Sequence, residues 1–172
     1  MAKMGGASGP IEFEVLGERQ FKVGLGRMTK ALGDMRPFWE KGLKPAFFQV
    51  EKAQFASQGA AGRNGAWQGL SPKYAAWKAR KFPGRGILVR SGALSGALLG
   101  GSGFVFQSHP QWVAIGASSG YGTYHQKGGG SLPRRRPIDV SAEQEKHVFG
   151  AIFGLVARDM NMMWSAGRDM RQ

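Results

Sequence analysis

Two short alternating runs open the patterned part of the chain, Ile11-Glu12-Phe13-Glu14-Val15 and Gln20-Phe21-Lys22-Val23, separated by the turn residues Gly17-Glu18. Apolar and polar side chains that alternate with period two fall on opposite faces of a strand, so residues 11–25 are predicted to form a β-hairpin, or a strand and a short connector. At Met28 the period changes. Met28, Leu32, Met35, Trp39, Leu43, Phe47 (with Ala46) and Val50 recur at three- and four-residue steps, the spacing of one helical face. Pro37 lacks a backbone donor and crowds the preceding turn, which predicts a kink or a fresh helix start near Arg36. The helix should fade near Gly59, and GAAGRNG over residues 59–65 reads as a loop.

Ser71-Pro72 then predicts a helix, with the serine as N-cap and the proline at the first helical position, ending before Pro83-Gly84. Ser91 to Leu99 predicts a second, short helix. Phe104-Val105-Phe106 and Trp112-Val113-Ala114-Ile115 flank His109-Pro110 and are expected to pair as antiparallel strands, and Gly128 to Ser131 reads as a mobile glycine loop. Ser141 with Gln144 three residues on is a capping-box signature. It precedes an apolar stripe of Phe149, Ile152, Phe153, Val156, Met160, Met163 and Trp164. The fold class expected is α+β: a small antiparallel sheet packed against long helices, with an N-terminal hairpin or arm and a long C-terminal helix. Residues 1–10 are expected to be a flexible leader and residues 11–172 a single domain.

Composition narrows the picture. The chain has 172 residues, 42% of them hydrophobic, with 5 Trp and 11 Phe, enough apolar surface for a core. Its 28 glycines imply much loop and turn. With 0 Cys there is no disulfide or thiolate metal site, which fits a chain made in a reducing cytoplasm. No apolar run reaches the ~18 residues of a membrane span, and the start lacks the apolar segment of a signal peptide. The formal net charge of +13 is unevenly placed: no Asp or Glu lies between Glu51 and Asp139, whereas that interval carries basic residues from Lys52 to Arg136. A basic centre without neutralising acids implies an acidic partner, either nucleic acid or an acidic protein surface.

Catalytic chemistry finds little to build on. His109, His125 and His147 are the only histidines, no HExxH or CxxC is present, and no carboxylate pair lies in the acid-free centre. His125, between Tyr124 and Gln126, is expected to be a hydrogen-bonded structural residue at the end of the sheet. The glycine runs at residues 84–86 and 128–130 lack the strand-to-helix setting and the Gly-Lys-Ser/Thr ending of a phosphate loop. No cofactor is expected, and the chain is expected not to be an enzyme. The sharpest local feature is Leu132-Pro133-Arg134-Arg135-Arg136-Pro137, in which prolines hold three guanidinium groups on an extended stretch. Arg134, Arg135 and Arg136 are therefore candidate contacts for phosphates or for carboxylates of a neighbouring chain.

Four stretches, in order, resemble the phage virion morphogenesis proteins, also called tail completion proteins. The first is Trp67-Gln68-Gly69-Leu70-Ser71-Pro72-Lys73-Tyr74-Ala75-Ala76-Trp77-Lys78, which follows a helix ending in Phe55 to Gly59. The second is Ile87-Leu88-Val89-Arg90-Ser91-Gly92-Ala93-Leu94. The third is Tyr121-Gly122-Thr123-Tyr124-His125-Gln126-Lys127-Gly128, and the fourth is the proline–arginine box before the last helix. The chain departs from the pattern in the extra arginines of that box and in Gly96, where a polar or basic residue is common. On this resemblance Trp67, Leu70, Ser71, Tyr74, Lys78, Arg90, Gly92, Leu94, Tyr121, Tyr124, His125 and Gln126 are the family-motif positions, with structural roles. Trp67, Leu70, Tyr74 and Trp77 are expected to anchor the Ser71-capped helix to the sheet.

The resemblance implies a virion protein of the phage tail or neck, made in the host cytoplasm, that completes the tail so that a head can join. It further implies a homo-oligomeric ring, a hexamer foremost, touching the tail terminator or tail tube and the head connector, with possible non-specific contact with phage DNA and no membrane. The competing readings are a basic, non-specific DNA-binding packaging accessory protein and a phage-associated hydrolase.

Overall fold

The computed structural model describes residue 30, residues 32–129 and residues 131–169. The leader, the alternating runs of residues 11–25 and Met28 lie outside the described residues, as do the side chains of Met160, Met163 and Trp164. The architecture is α+β, a small antiparallel sheet packed against helices.

Helix α1 runs through three consecutive segments: a first turn Arg36–Phe38, a π-helical turn Trp39–Leu43 and a body Lys44–Ala56. Met35 is its N-cap and Pro37 lies in its first turn, so the fresh start expected near Arg36 is present. The π turn was not foreseen. It ends two residues before Pro45, which cannot donate to a carbonyl in the preceding turn, and the widened turn fits the gap that a proline leaves inside a helix. Part of the predicted stripe is displaced. Ala46, Phe47 and Val50 are buried as expected, but Leu32 is exposed, and Phe38 and Gly42 are buried in addition. Gly42 lets the last helix approach closely: a Cβ there would lie 2.9 Å from Leu155 Cδ1 and 3.4 Å from the Ile152 Cα.

After the loop come α2 (Pro72–Lys81) and α3 (Ala93–Leu98), the two short helices expected. Strands β1 (Phe104–Ser108) and β2 (Val113–Ala117) pair antiparallel, with Phe104 opposite Ala117 and Phe106 opposite Ile115. Helix α4 (Gly120–Lys127) follows, then the extended proline–arginine run, then α5 (Ala142–Asp169). The capping box of α5 is formed in both directions. The Ser141 N–H donates to Gln144 Oε1 at 2.9 Å, and the Gln144 N–H donates to Ser141 Oγ at 3.3 Å.

The core lies where α1, α3 and the sheet meet. Phe47, Leu94 and Leu98 are buried at its centre, with Phe55, Ile115 and Ile138 packed around them. Phe48 bridges to the sheet, its ring 5.2 Å from that of Phe104. The apolar face of α5 is rotated from the predicted stripe: Ile152 is buried and Leu155 half-buried against α1, whereas Phe149 and Phe153 are 57% and 66% exposed. No helix of the described residues is long and apolar enough to cross a membrane.

Candidate functional site: a cationic cleft

Ten of the fifteen candidate positions line one cleft of about 900 Å³. Three elements and two loops bring them together. The stretch entering α2 supplies Leu70 and Ser71, and the helix itself supplies Tyr74 and Lys78, one turn apart on one face. Ser71 sits at the N-cap without using its hydroxyl as a cap, which leaves that group available to the cleft. Arg90, Gly92 and Leu94 line a second wall. Gly92 has a φ of 86°, a left-handed turn that a glycine tolerates, and starts α3 there. Tyr121 and His125, four residues apart on α4, line a third. Arg135 closes the floor.

The electrostatics are one-sided. Lys78 and Arg135 are only 4% and 5% exposed, and neither has a carboxylate partner among the described residues. Lys78 Nζ donates to the Gly86 carbonyl. Arg135 donates from Nε to Gln68 O at 2.6 Å and from an Nη to Gly69 O at 2.8 Å. These carbonyls satisfy donors but neutralise no charge. Burial pushes the Lys78 ammonium below its ordinary pKa, and the Arg135 guanidinium pushes it further; burial likewise lowers Arg135. Arg90, exposed, adds a third cation, and no Asp or Glu lines the cleft.

His125 departs from expectation in two ways. It lies within α4, a helix capped by the Ser119 hydroxyl, which accepts from Gly122 N–H at 3.3 Å, and not at the end of the sheet. Its ring also lacks the expected hydrogen bond, because Nδ1 is buried without a partner; the residue's structural bond is through its carbonyl, which accepts from the Arg135 N–H at 3.0 Å. Burial first, and Arg135 second, hold the imidazole below its usual pKa and so favour the neutral ring. Leu88, another lining residue, has a φ of 61°, a strained conformation for a branched side chain and one that sequence reasoning did not flag.

The remaining candidates lie elsewhere. Trp67 does not anchor α2 to the sheet. It is buried against the end of α1, with its ring 5.4 Å from Phe55 and its Nε1 donating to Arg136 O at 2.8 Å. Trp77 is half-buried and packs locally between Tyr74 and Phe82. Tyr124 is 66% exposed on the outer side of α4, and Gln126 binds the backbone of Ile138.

The arginine box is not the outward-reaching arm the prolines suggested. Its three side chains diverge: Arg134 is exposed, with Nε donating to Gln126 O at 3.1 Å, Arg135 is buried and Arg136 is half-buried beside Asp139. The main chain is pinned as well, since the Arg136 carbonyl accepts from both Gln54 Nε2 and Trp67 Nε1. Asp139 locks the residue 59–65 loop by accepting from Asn64 N–H at 2.8 Å and from Asn64 Nδ2 at 2.6 Å. The glycine run after α4 closes on itself through an isolated bridge between Gly129 and Leu132.

Chemically, the cleft can hold an anion: fixed, partly desolvated cations and several hydroxyls face a concave, partly apolar space. Comparison with protein-family models, with curated proteins and with solved structures finds no match to this chain.

Proposed function

We propose that the chain is a structural subunit of a tailed-phage virion that acts in tail completion and head–tail joining, as a ring at the neck or the top of the tail. One observation carries the reading. All four stretches that resemble the tail completion proteins, from Leu70 to Arg135, contribute walls to a single carboxylate-free cationic cleft. Side chains gathered from distant parts of a chain onto one concave surface mark a binding site, and this one is built to grip an acidic protein neighbour rather than to do bond chemistry. The neutral, unpartnered His125 has no carboxylate to orient it as a base, which supports a binding role over a hydrolytic one.

A second reading rests on a different surface. Lys73, Arg80, Lys81 and Arg85 are exposed on α2 and the turn after it, and no ion pair among the described residues involves them. Such a patch suits the backbone of duplex DNA, the surface a DNA-binding accessory protein needs. Sedimentation of the purified chain, with negative-stain images, tests the two. Closed rings that bind duplex DNA weakly at physiological salt support the virion reading. A monomer that binds duplex tightly, with a steep salt dependence, replaces it.

A further inference from the structure

We infer that the cationic cleft is the receptor for residues Ile11–Glu18 of a second copy of this chain, so that each subunit inserts its acidic N-terminal segment into its neighbour. The inference rests on the ring reading above and supplies its contact.

Charge is the first argument. Two side chains of the cleft, Lys78 and Arg135, are buried cations with no carboxylate partner among the described residues. A desolvated cation without a counter-ion is costly, and a carboxylate brought to it recovers much of that cost. Across the whole chain there are 11 acidic residues, and three of them, Glu12, Glu14 and Glu18, fall within residues 11–18, where no Lys or Arg occurs. An acidic stretch free of bases therefore matches a cationic site lined by no carboxylate.

Pattern is the second. In Ile11-Glu12-Phe13-Glu14-Val15 the acidic and apolar positions alternate, so an extended backbone would present carboxylates to one side and Ile11, Phe13 and Val15 to the other. The cleft lining offers both kinds of partner: the cations Lys78, Arg90 and Arg135, and the apolar side chains Leu70, Leu88 and Leu132. A phosphodiester backbone has no apolar face to use. Duplex DNA is also too wide and stiff to reach side chains that are 4% and 5% exposed.

Placement is the third. The chain joins the described fold at the tip of the β-hairpin, where the Met35 N–H donates to Pro110 O at 2.9 Å. The cleft lies at the opposite end of the hairpin, where β2 runs into α4 and the chain from α3 enters β1. The described fold thus begins near one end of the hairpin while the cleft opens at the other, which suits a head-to-tail interface that closes into a ring by rotation. From Glu18 to Lys30 is 12 residues, a reach of roughly 40 Å when extended, enough to cross to a neighbour.

The absence of cysteine makes the test clean. Val15→Cys is placed in one full-length chain and Ser91→Cys, on the cleft wall, in another; the two are mixed and oxidised. The expected result is a disulfide-linked heterodimer, formed at least tenfold more slowly when the first chain also carries E12K, E14K and E18K or the second carries R90E. A doubly substituted chain, V15C with S91C, should give a ladder of covalent oligomers. An intramolecular disulfide on a monomer overturns the second-copy assignment, and cross-linking indifferent to the charge substitutions overturns the cleft as receptor. Loss of cross-linking on adding short duplex DNA, with DNA affinity lost in the R90E chain, assigns the cleft to phosphate and overturns the proposal. Rings that persist in the E12K/E14K/E18K chain refute this contact and leave the virion reading standing, whereas a parent chain that never assembles refutes both.

Discussion

Gln126 holds the main chain of Ile138 twice: its Nε2 donates to Ile138 O at 2.8 Å, and its Oε1 accepts from Ile138 N–H at 3.2 Å. That clasp ties α4, which carries Tyr121 and His125, to the extended run that carries Arg135. Ile138 itself packs on the Phe47–Leu94–Leu98 cluster, so one amide side chain couples the cleft to the core.

Gln126→Ala leaves a partly buried N–H and C=O without partners and is expected to cost about 1–3 kcal/mol. Gln126→Glu keeps the acceptor but turns an oxygen towards the Ile138 carbonyl, and should cost at least as much at neutral pH. Urea denaturation of the two variants checks both; midpoints equal to the parent's would show that the clasp contributes nothing to stability.

Trp67 gives a graded test of the loop after α1. Gly59, with a φ of 94°, sits beneath it: a Cβ there would lie 2.5 Å from Trp67 Cδ1. Trp67→Ala removes a buried ring and should cost about 3–5 kcal/mol. Trp67→Phe keeps most of the packing against Phe55 and loses only the donor. The Arg136 carbonyl still accepts from Gln54 Nε2 at 3.2 Å, so this variant should cost about 0.5–1.5 kcal/mol. Thermal melts that place the two variants together, or in the opposite order, contradict this account of the site.

The elements that were legible in the sequence are those whose signals are local. Ser71-Pro72, the Ser141/Gln144 box and the apolar runs flanking His109-Pro110 each state a backbone geometry within a few residues, and each element formed. The helical stripes were legible only in part, because a stripe says that a face is apolar but not which neighbour covers it. Phe149 and Phe153 remain exposed since Gly42 lets α5 settle on Ile152 and Leu155 instead. The cleft was visible in pieces. Its residues were singled out one motif at a time, but their convergence depends on contacts between Arg135 and Gln68 or Gly69 that span 66 or 67 positions. The proline–arginine box misled because prolines fix an extended backbone without saying whether it runs over the surface or through the protein.

Glu51 was read only as the edge of the acid-free stretch, and the structure buries it. Its side chain is fully enclosed, both carboxylate oxygens lack partners, and burial pushes its pKa from 4.5 up to about 8. A carboxyl whose pKa is raised on folding holds its proton in the folded state while the unfolded chain releases it. Stability is therefore greatest below about 4.5 as far as this group is concerned, falls as pH rises, and levels off once pH passes about 8. The slope approaches ~1.4 kcal/mol per pH unit between those limits. Glu51→Gln is expected to flatten the dependence and to stabilise the chain at pH 7 and above. Denaturation at pH 5 and at pH 8 checks it; a variant that keeps the parent's slope would assign the titration to other groups.

The arginine box separates fold from function once its members are treated singly. Arg135 is 5% exposed and donates to two carbonyls, so Arg135→Ala strands both acceptors at a cost of about 1.5–3 kcal/mol, part of which returns because a like charge beside Lys78 is gone. A triple alanine variant is thus expected to be destabilised, and its failure to assemble would say nothing about partners. Arg134 is the informative position: exposed, held among the described residues by Gln126 O, and placed to meet a neighbour without disturbing the core. If it meets phosphate, its removal lowers the slope of log affinity against log salt by about 0.9. If it meets a carboxylate at the rim of a protein interface, DNA binding is unchanged and only association weakens, with a modest salt dependence. The expected outcome for Arg134→Ala is a parent-like melting curve, parent-like duplex affinity at physiological salt, and a weaker tendency to form rings. A parent-like ring with a shallower DNA salt slope would make the box a phosphate contact and would favour the DNA-binding reading of the chain.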